Sequence, residues 1–264
     1  MDHYPHFRRE IKAFEAAARR AVAAGEAPSV PSCPGWTMSD LVVHLGGVHR
    51  VVGCVVKERL PELPDVTDAG LFDLPAERED WPVPGQGPTP GPVPVALVDW
   101  FAAGARALDE LFVRTDPNEA VWTWSADHTV GFWLRVQTIE ASVHRWDAER
   151  ALGAAGPIDT EVAVDAVGHA FEVMAPYRRS VQSAPLGAGE RFRFRRTDGP
   201  GVWTACFEGD EVRLAGPDGP CDVEAAGTAS DLMLFLWGRR PAQPLTVTGD
   251  HAVLDRYSTL VPPV

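Results

Sequence analysis

The sequence predicts a protein in two parts: an N-terminal four-helix bundle over residues 1–153, then a smaller α+β domain with an antiparallel sheet over 154–264. Three observations lead there. Apolar residues recur at three-to-four spacing in four long stretches, the composition shifts at Gly153, and apolar and polar residues then alternate between glycine-rich turns.

The first helix covers residues 3–24, where Phe7, Ile11, Phe14, Ala18 and Val22 form one stripe, and Gly25 and Pro28 end it. A Pro34-Gly35 turn introduces the second, within 32–60, with Thr37 and Asp40 at capping-box spacing. On it Leu41, His44, Val48, Val52 and Val55 share a face, so His44 should point into the bundle, where a lone histidine is usually just hydrogen-bonded to a neighbour. His49 lies off that line and is expected to be solvated. Proline and glycine between Pro61 and Pro94 forbid a continuous helix or a central strand and predict a long crossover loop. Helical period returns over 95–114 through Val98, Phe101, Ala105, Leu108 and Phe112. Trp122, Trp124 and His128 follow, the tryptophans expected in the core and the histidine at the surface.

The fourth helix carries Phe132, Val136, Ile139, Val143 and Trp146 as its core stripe, with Trp133, Glu140 and His144 along one edge. Beyond it, GAAGPID is a linker and 160–178 an amphipathic helix capped by Thr160. The alternating stretch 190–227 predicts three or four antiparallel strands. Thr228 and Asp231 cap a short helix, LTVTGD is a strand, and a last helix covers Asp250 to Leu260.

Composition narrows the function. With 45% hydrophobic and 23% charged residues the chain reads as an ordinary globular protein. A formal charge of −13, with no basic cluster beyond short alternations such as Arg191, Arg193, Arg195 and Arg196, makes nucleic acid and anionic membrane unexpected partners. MDHYPHFRRE lacks the apolar core of a signal peptide, and no run approaches the roughly 18 apolar residues of a membrane span, so a cytoplasmic location is expected. Cys33, Cys54, Cys206 and Cys221 show no Cys-x-x-Cys spacing and predict neither a thiolate metal site nor a disulfide framework. Cys33, before the Pro-Gly turn, is the one that could stand near a site.

The stretch 137–150, QTIEASVHRWDAER, carries the chemistry. Glu140 and His144 are one turn apart and emerge on one face, close enough to share a metal ion, although the spacing alone fits a solvated flank as well. In a four-helix bundle the core faces of helices two and four meet, which adds His44 to the pair. Two histidines and a carboxylate leave a coordination position open, as catalytic zinc sites do, but they are also the facial set of non-haem iron. Asp147 is placed to accept from the His144 ring, and a salt bridge with Arg150 would explain it equally well.

CPGWTMSDLVVHLGGVHR, followed about a hundred residues later by IEASVHRWDAERALG, resembles the mycothiol-dependent maleylpyruvate isomerase family, and GTASDLMLFLWGRRPAQPLTVTGD is similar to that family's sterol-carrier-like C-terminal module. The likeness covers nearly the whole chain. It implies a DinB-like bundle whose divalent metal, zinc foremost, is held by His44, Glu140 and His144 and activates the thiol of mycothiol. In the isomerase the thiolate adds to a cis-alkene conjugated to carbonyls, the new single bond rotates, and elimination releases the trans product. An arginine of the C-terminal module is implied to meet the substrate's carboxylates, here Arg239 or Arg240; otherwise these cap the preceding helix. The implied partners are a small-molecule substrate and a low-molecular-weight thiol, for a monomer or small homo-oligomer. Thr138 and Ile139 replace the Ala and His frequent in relatives, so other thiol-dependent additions, eliminations or S-transfers stay open. So do a thiol-independent DinB-like hydrolase or iron enzyme and a non-catalytic binding protein.

Overall fold

The computed structural model describes residues 1–83 and 86–262, which form two compact units, Asp2–Gly156 and a second beginning at Pro157. Part of the proline-rich stretch, Pro84 and Gly85, lies outside the described residues.

Four long helices make the first unit: α1 (Tyr4–Ala24), α2 (Met38–Glu58), α3 (Val95–Arg114) and α4 (Val130–Ala151). They bury Phe7, Phe14, Leu41, Leu45, Leu97, Phe101 and Leu108 completely or nearly so. Small residues let α2 and α3 approach: a Cβ on Gly46 would run into the Trp100 ring, and one on Gly104 into the Arg50 guanidinium. That guanidinium lies 3.8 Å from the Trp100 ring and donates to the carbonyls of Gly46 and Trp100. Among the described residues α2 is the one helix with the length and hydropathy of a membrane span, and 56% of that window is buried within the protein.

Two expectations about faces are corrected. His49 is 1% exposed, on the buried row Met38, Val42, Leu45, His49, Val52 and Val56, whereas His44 stands at the half-exposed edge. The α2 helix is apolar nearly all round, and its glycine row, not its hydrophobic period, decides which side meets α3. Helix α4 is buried well beyond its expected stripe: Trp133, Gln137, Ala141, His144 and Ala148 are covered as well as Phe132, Ile139, Val143 and Trp146.

The capping box holds as expected, and it also anchors the crossover. Asp40 Oδ2 accepts from the Thr37 amide at 2.8 Å, the Thr37 hydroxyl at 2.8 Å and the Thr89 amide at 3.0 Å, while Oδ1 accepts the Thr89 hydroxyl at 2.7 Å. Burial alone would raise its pKa; the hydrogen bonds outweigh burial and lower it. Asp40→Ala is expected to cost about 2–3 kcal/mol, from the lost cap and the stranded Thr89 donors. Urea unfolding of the variant checks this, with a matching loss in Thr89→Ala limited to the loop share.

The second unit runs α5 (Thr160–His169), a π-helical turn (Ala170–Met174), α6 (Ala175–Val181), β1 (Gly187–Arg196), β2 (Val202–Gly209), β3 (Glu211–Ala215), β4 (Val223–Gly227), α7 (Ala229–Leu236), β5 (Thr246–Gly249), α8 (His251–Asp255) and α9 (Tyr257–Leu260). Asp159, not Thr160, caps α5. The five strands lie in the order β3-β2-β1-β4-β5. Three pairs are antiparallel as expected, but β1 and β4 are parallel, so the sheet is mixed. The connection from β3 crosses the sheet face, where Arg193 in mid-β1 donates to the Gly219 carbonyl, and strand alternation carries no signal for such a crossing. Phe192, Phe194, Phe207 and Tyr257 pack ring to ring beneath the sheet. The expected final helix is broken at Arg256, where Tyr257 turns into this cluster.

Candidate metal centre

His44 from α2 and Glu140 and His144 from α4 converge in the first unit. Glu140 Oε1 lies 3.4 Å from His44 Nε2 and 3.2 Å from His144 Nε2, and one ligand atom from each of the three lies within 4.8 Å of the others. The two imidazoles meet edge to face at 5.0 Å, and the Trp36 ring also stands 5.0 Å from the His44 ring. His44 and Glu140 side chains are 34% and 26% exposed, His144 only 4%. Two imidazole nitrogens and a carboxylate oxygen around one point, open on one side, fit a divalent cation with a vacant position.

Behind His144 stands Asp147, completely buried. Its Oδ2 lies 2.9 Å from His144 Nδ1 and 3.5 Å from Cys33 Sγ, while its Oδ1 accepts the Ser32 hydroxyl at 2.6 Å. This fixes the imidazole with Nε2 turned toward Glu140. The alternative partner is not engaged this way: the Arg150 guanidinium lies over the Trp146 ring at 5.3 Å. Cys33, His144 and Asp147 also bring three donor atoms within 4.8 Å, but those atoms bond to one another and serve as backing for the first set.

Electrostatics follows the geometry. Burial works against the Glu140 charge, yet the hydrogen bonds and positive potential of His144 and His44 outweigh it and hold the carboxyl well below its usual range. For His144 burial disfavours the cation, but Asp147 and Glu140 favour it more, so its pKa is raised. In the absence of a cation Glu140 is therefore a carboxylate facing a His144 ring that favours its proton, a site where a cation and a proton compete.

The remaining residues singled out in the sequence fall elsewhere. Trp122 and Trp124 pack on α4 against Trp133 and Phe132, and His128 is exposed. Arg239 and Arg240 lie in the second unit, just past α7. Their amides both donate to the Leu234 carbonyl and so close the helix through the backbone, and Arg240 pairs with Asp231 at 2.7 Å. Arg240, together with Phe235, Gln243, Leu254 and Tyr257, lines a cavity of about 380 Å3. Ser32 and Trp36 escaped the sequence reading; the signal was present in SCPGW, a turn leading straight into the capping box and His44.

No curated protein matches the chain. A solved structure of a histidine-to-alanine mutant of the mycothiol-dependent maleylpyruvate isomerase is similar in fold, with 16% identity over 94% of this chain and 92% of the other and a TM-score of 0.60. The structure of that isomerase without the mutation gives 0.58 at the same identity and coverage. Residues 7–149 match the model of the mycothiol maleylpyruvate isomerase N-terminal domain, and residues 161–256 match that of the MDMPI C-terminal domain. Across both units, then, the chain belongs to the mycothiol maleylpyruvate isomerase family.

Proposed function

We propose that this protein is a mycothiol-using metalloenzyme of isomerase or S-transferase type, acting on a small unsaturated or electrophilic carbonyl compound of the maleylpyruvate kind. The observation that carries the reading is the convergence of His44 Nε2, Glu140 Oε1 and His144 Nε2 within 4.8 Å on a partly open face. His44, Glu140 and His144 would hold a divalent cation, zinc foremost, which would lower the pKa of a bound thiol; that matters because a free thiol with pKa near ~8.5 is only a few per cent ionised at neutral pH.

The protein's own residues do the rest. Asp147 keeps the His144 ring in one tautomer and orientation, so the trio needs little rearrangement to accept the cation. Trp36 packs against His44, while the exposed edges of His44 and Glu140 leave the thiol a way in. Addition of the thiolate to the cis double bond would form a C–S bond and move the π pair onto the conjugated carbonyl as an enolate, leaving a C–C single bond free to turn; return of that pair would expel the thiolate, breaking the C–S bond and restoring the double bond in the trans form. Family membership supports this sequence of events; Thr138 and Ile139, where relatives often carry Ala and His, are fully buried, and S-transfer stays open beside isomerisation.

Titration calorimetry tests the proposal. Mycothiol is expected to bind the zinc-loaded protein and to lose at least tenfold in affinity when the zinc is removed or when His44 is alanine, a difference of about 1.4 kcal/mol or more. Equal affinity with and without metal would remove the thiol-activation reading.

Of the two arginines that the family likeness offers for the substrate's carboxylates, Arg240 is the one we test, its guanidinium being held in place by Asp231 at 2.7 Å. Arg240→Met is expected to raise KM for an unsaturated dicarboxylate about tenfold or more, the loss of one charge-assisted contact, with mycothiol affinity unchanged. The Asp231→Asn variant, which frees Arg240 from its partner, separates carboxylate binding from helix support: it should not raise KM.

A further inference from the structure

Beside the trio lies a buried polar layer for which the thiol chemistry has no use. His49 is 1% exposed and neither of its ring nitrogens has a hydrogen-bond partner among the described residues; Gln137, also 1% exposed, has the same deficit at Oε1. An N–H or a carbonyl oxygen left unpaired in an apolar bundle costs roughly 1–3 kcal/mol, and His49 sits between the rings of Phe7 and Phe101 at 5.7 and 5.5 Å, which supply nothing polar.

Their placement is specific. Helices α2 and α4 run antiparallel, since Ser32 and Cys33, before α2, meet Asp147 late in α4, while Leu60, after α2, bonds Trp122, before α4. His49, five residues beyond His44, therefore stands level with Gln137, one turn before Glu140. His49 lies within electrostatic reach of Glu140, His44 and His144. Glu140 uses Oε1 for both histidines, and its Oε2 takes no hydrogen bond from a described residue.

We propose that His49 and Gln137 bind an internal water that anchors Glu140 from below, which makes His49 a positioning residue of the metal centre. A water can accept the His49 N–H and donate to Gln137 Oε1 and Glu140 Oε2, the three bonds typical of buried water, which leaves only the second His49 ring nitrogen without a partner among the described residues. Burial keeps His49 neutral, with its pKa pushed down to about 3, so it holds a donor and does not add charge to the site. The consequence is that Glu140 presents Oε1 to the cation while Oε2 is tied back. The inference rests on the metal reading above for its role, though not for the water itself.

Two variants and one structure test it. His49→Phe fills the same space beside Phe7 and Phe101 without a polar atom, and His49→Gln keeps an N–H donor. In zinc competition titrations His49→Phe is expected to bind 10- to 100-fold more weakly, the usual loss when an outer support of a ligand goes, and His49→Gln to recover most of it. Unchanged zinc affinity in folded His49→Phe overturns the positioning role. A high-resolution crystal structure of the metal-free wild type reads the water directly. An ordered water within hydrogen-bond distance of His49, Gln137 and Glu140 supports the site, and a dry layer overturns it whether or not zinc binds. Wild-type protein that holds the water but takes no zinc would instead defeat the metal reading and with it the positioning role.

Discussion

Replacing Asp147 with alanine is expected to weaken divalent-cation binding by about 10- to 100-fold and to lower stability by about 3 kcal/mol. The first effect arises because the His144 ring loses the acceptor that fixes its tautomer and aims Nε2 at the ligand point. The second arises because the Ser32 hydroxyl and the Cys33 thiol share that acceptor in a fully buried position and are left without it. Asp147→Asn keeps an acceptor but not the charge, so it should fall between the two in both measurements. Chelator competition with zinc and urea unfolding of the metal-free protein read the effects separately. A variant that loses stability while binding zinc as tightly as wild type would show that Asp147 holds the turn before α2 and not the metal ligand.

The second large effect is on acid stability. Burial among Phe7, Phe101 and the apolar row of α2 drives the His49 pKa down from its ordinary value to about 3; Glu140 on α4 opposes this, and Arg50, His44 and His144 reinforce it. The folded state then binds fewer protons than the unfolded chain below pH ~6.5, so stability rises with pH across that window. From pH ~6.5 toward 3 the folded protein should lose about 1.4 kcal/mol per unit from this group, a few kcal/mol before it opens. His144 acts in the opposite sense. Its raised pKa stabilises the metal-free fold below ~6.5, and that contribution is lost as pH climbs through the folded value. Glu140, held low, adds stability above its unfolded pKa and loses it in acid. Urea midpoints measured in steps from pH 4 to 8 should therefore fall toward the acid end in wild type and fall less steeply in His49→Phe. Parallel profiles would assign the acid loss to carboxylates elsewhere.

Much of this was legible beforehand, and the exceptions have physical causes. Thr37 with Asp40, Thr228 with Asp231, and the apolar stripes of the first, third and fourth helices are local patterns, and these survive folding. Glu140 and His144 could be paired from a single turn of helix. Adding His44 required the bundle, and its motif in the family resemblance pointed to the same residue. The two histidines of α2 changed places because an apolar helix offers two overlapping stripes, and Gly46 against Trp100 selects between them at long range. The SCPGW turn marked Ser32 but not its partner, and the parallel partner of β1 carried no local mark at all: each depends on a segment distant in sequence, Asp147 in one case and the β3–β4 crossing in the other.

The most direct test of the central claim is the visible and near-ultraviolet spectrum of the cobalt-substituted protein titrated with mycothiol. One cobalt per chain, bound with four- or five-coordinate absorption and gaining a sulfur-to-metal charge-transfer band on addition of the thiol, is the predicted result; it should vanish in His44→Ala and His144→Ala. Cobalt that fails to bind stoichiometrically, or binds without any sulfur band at saturating mycothiol, would contradict the account.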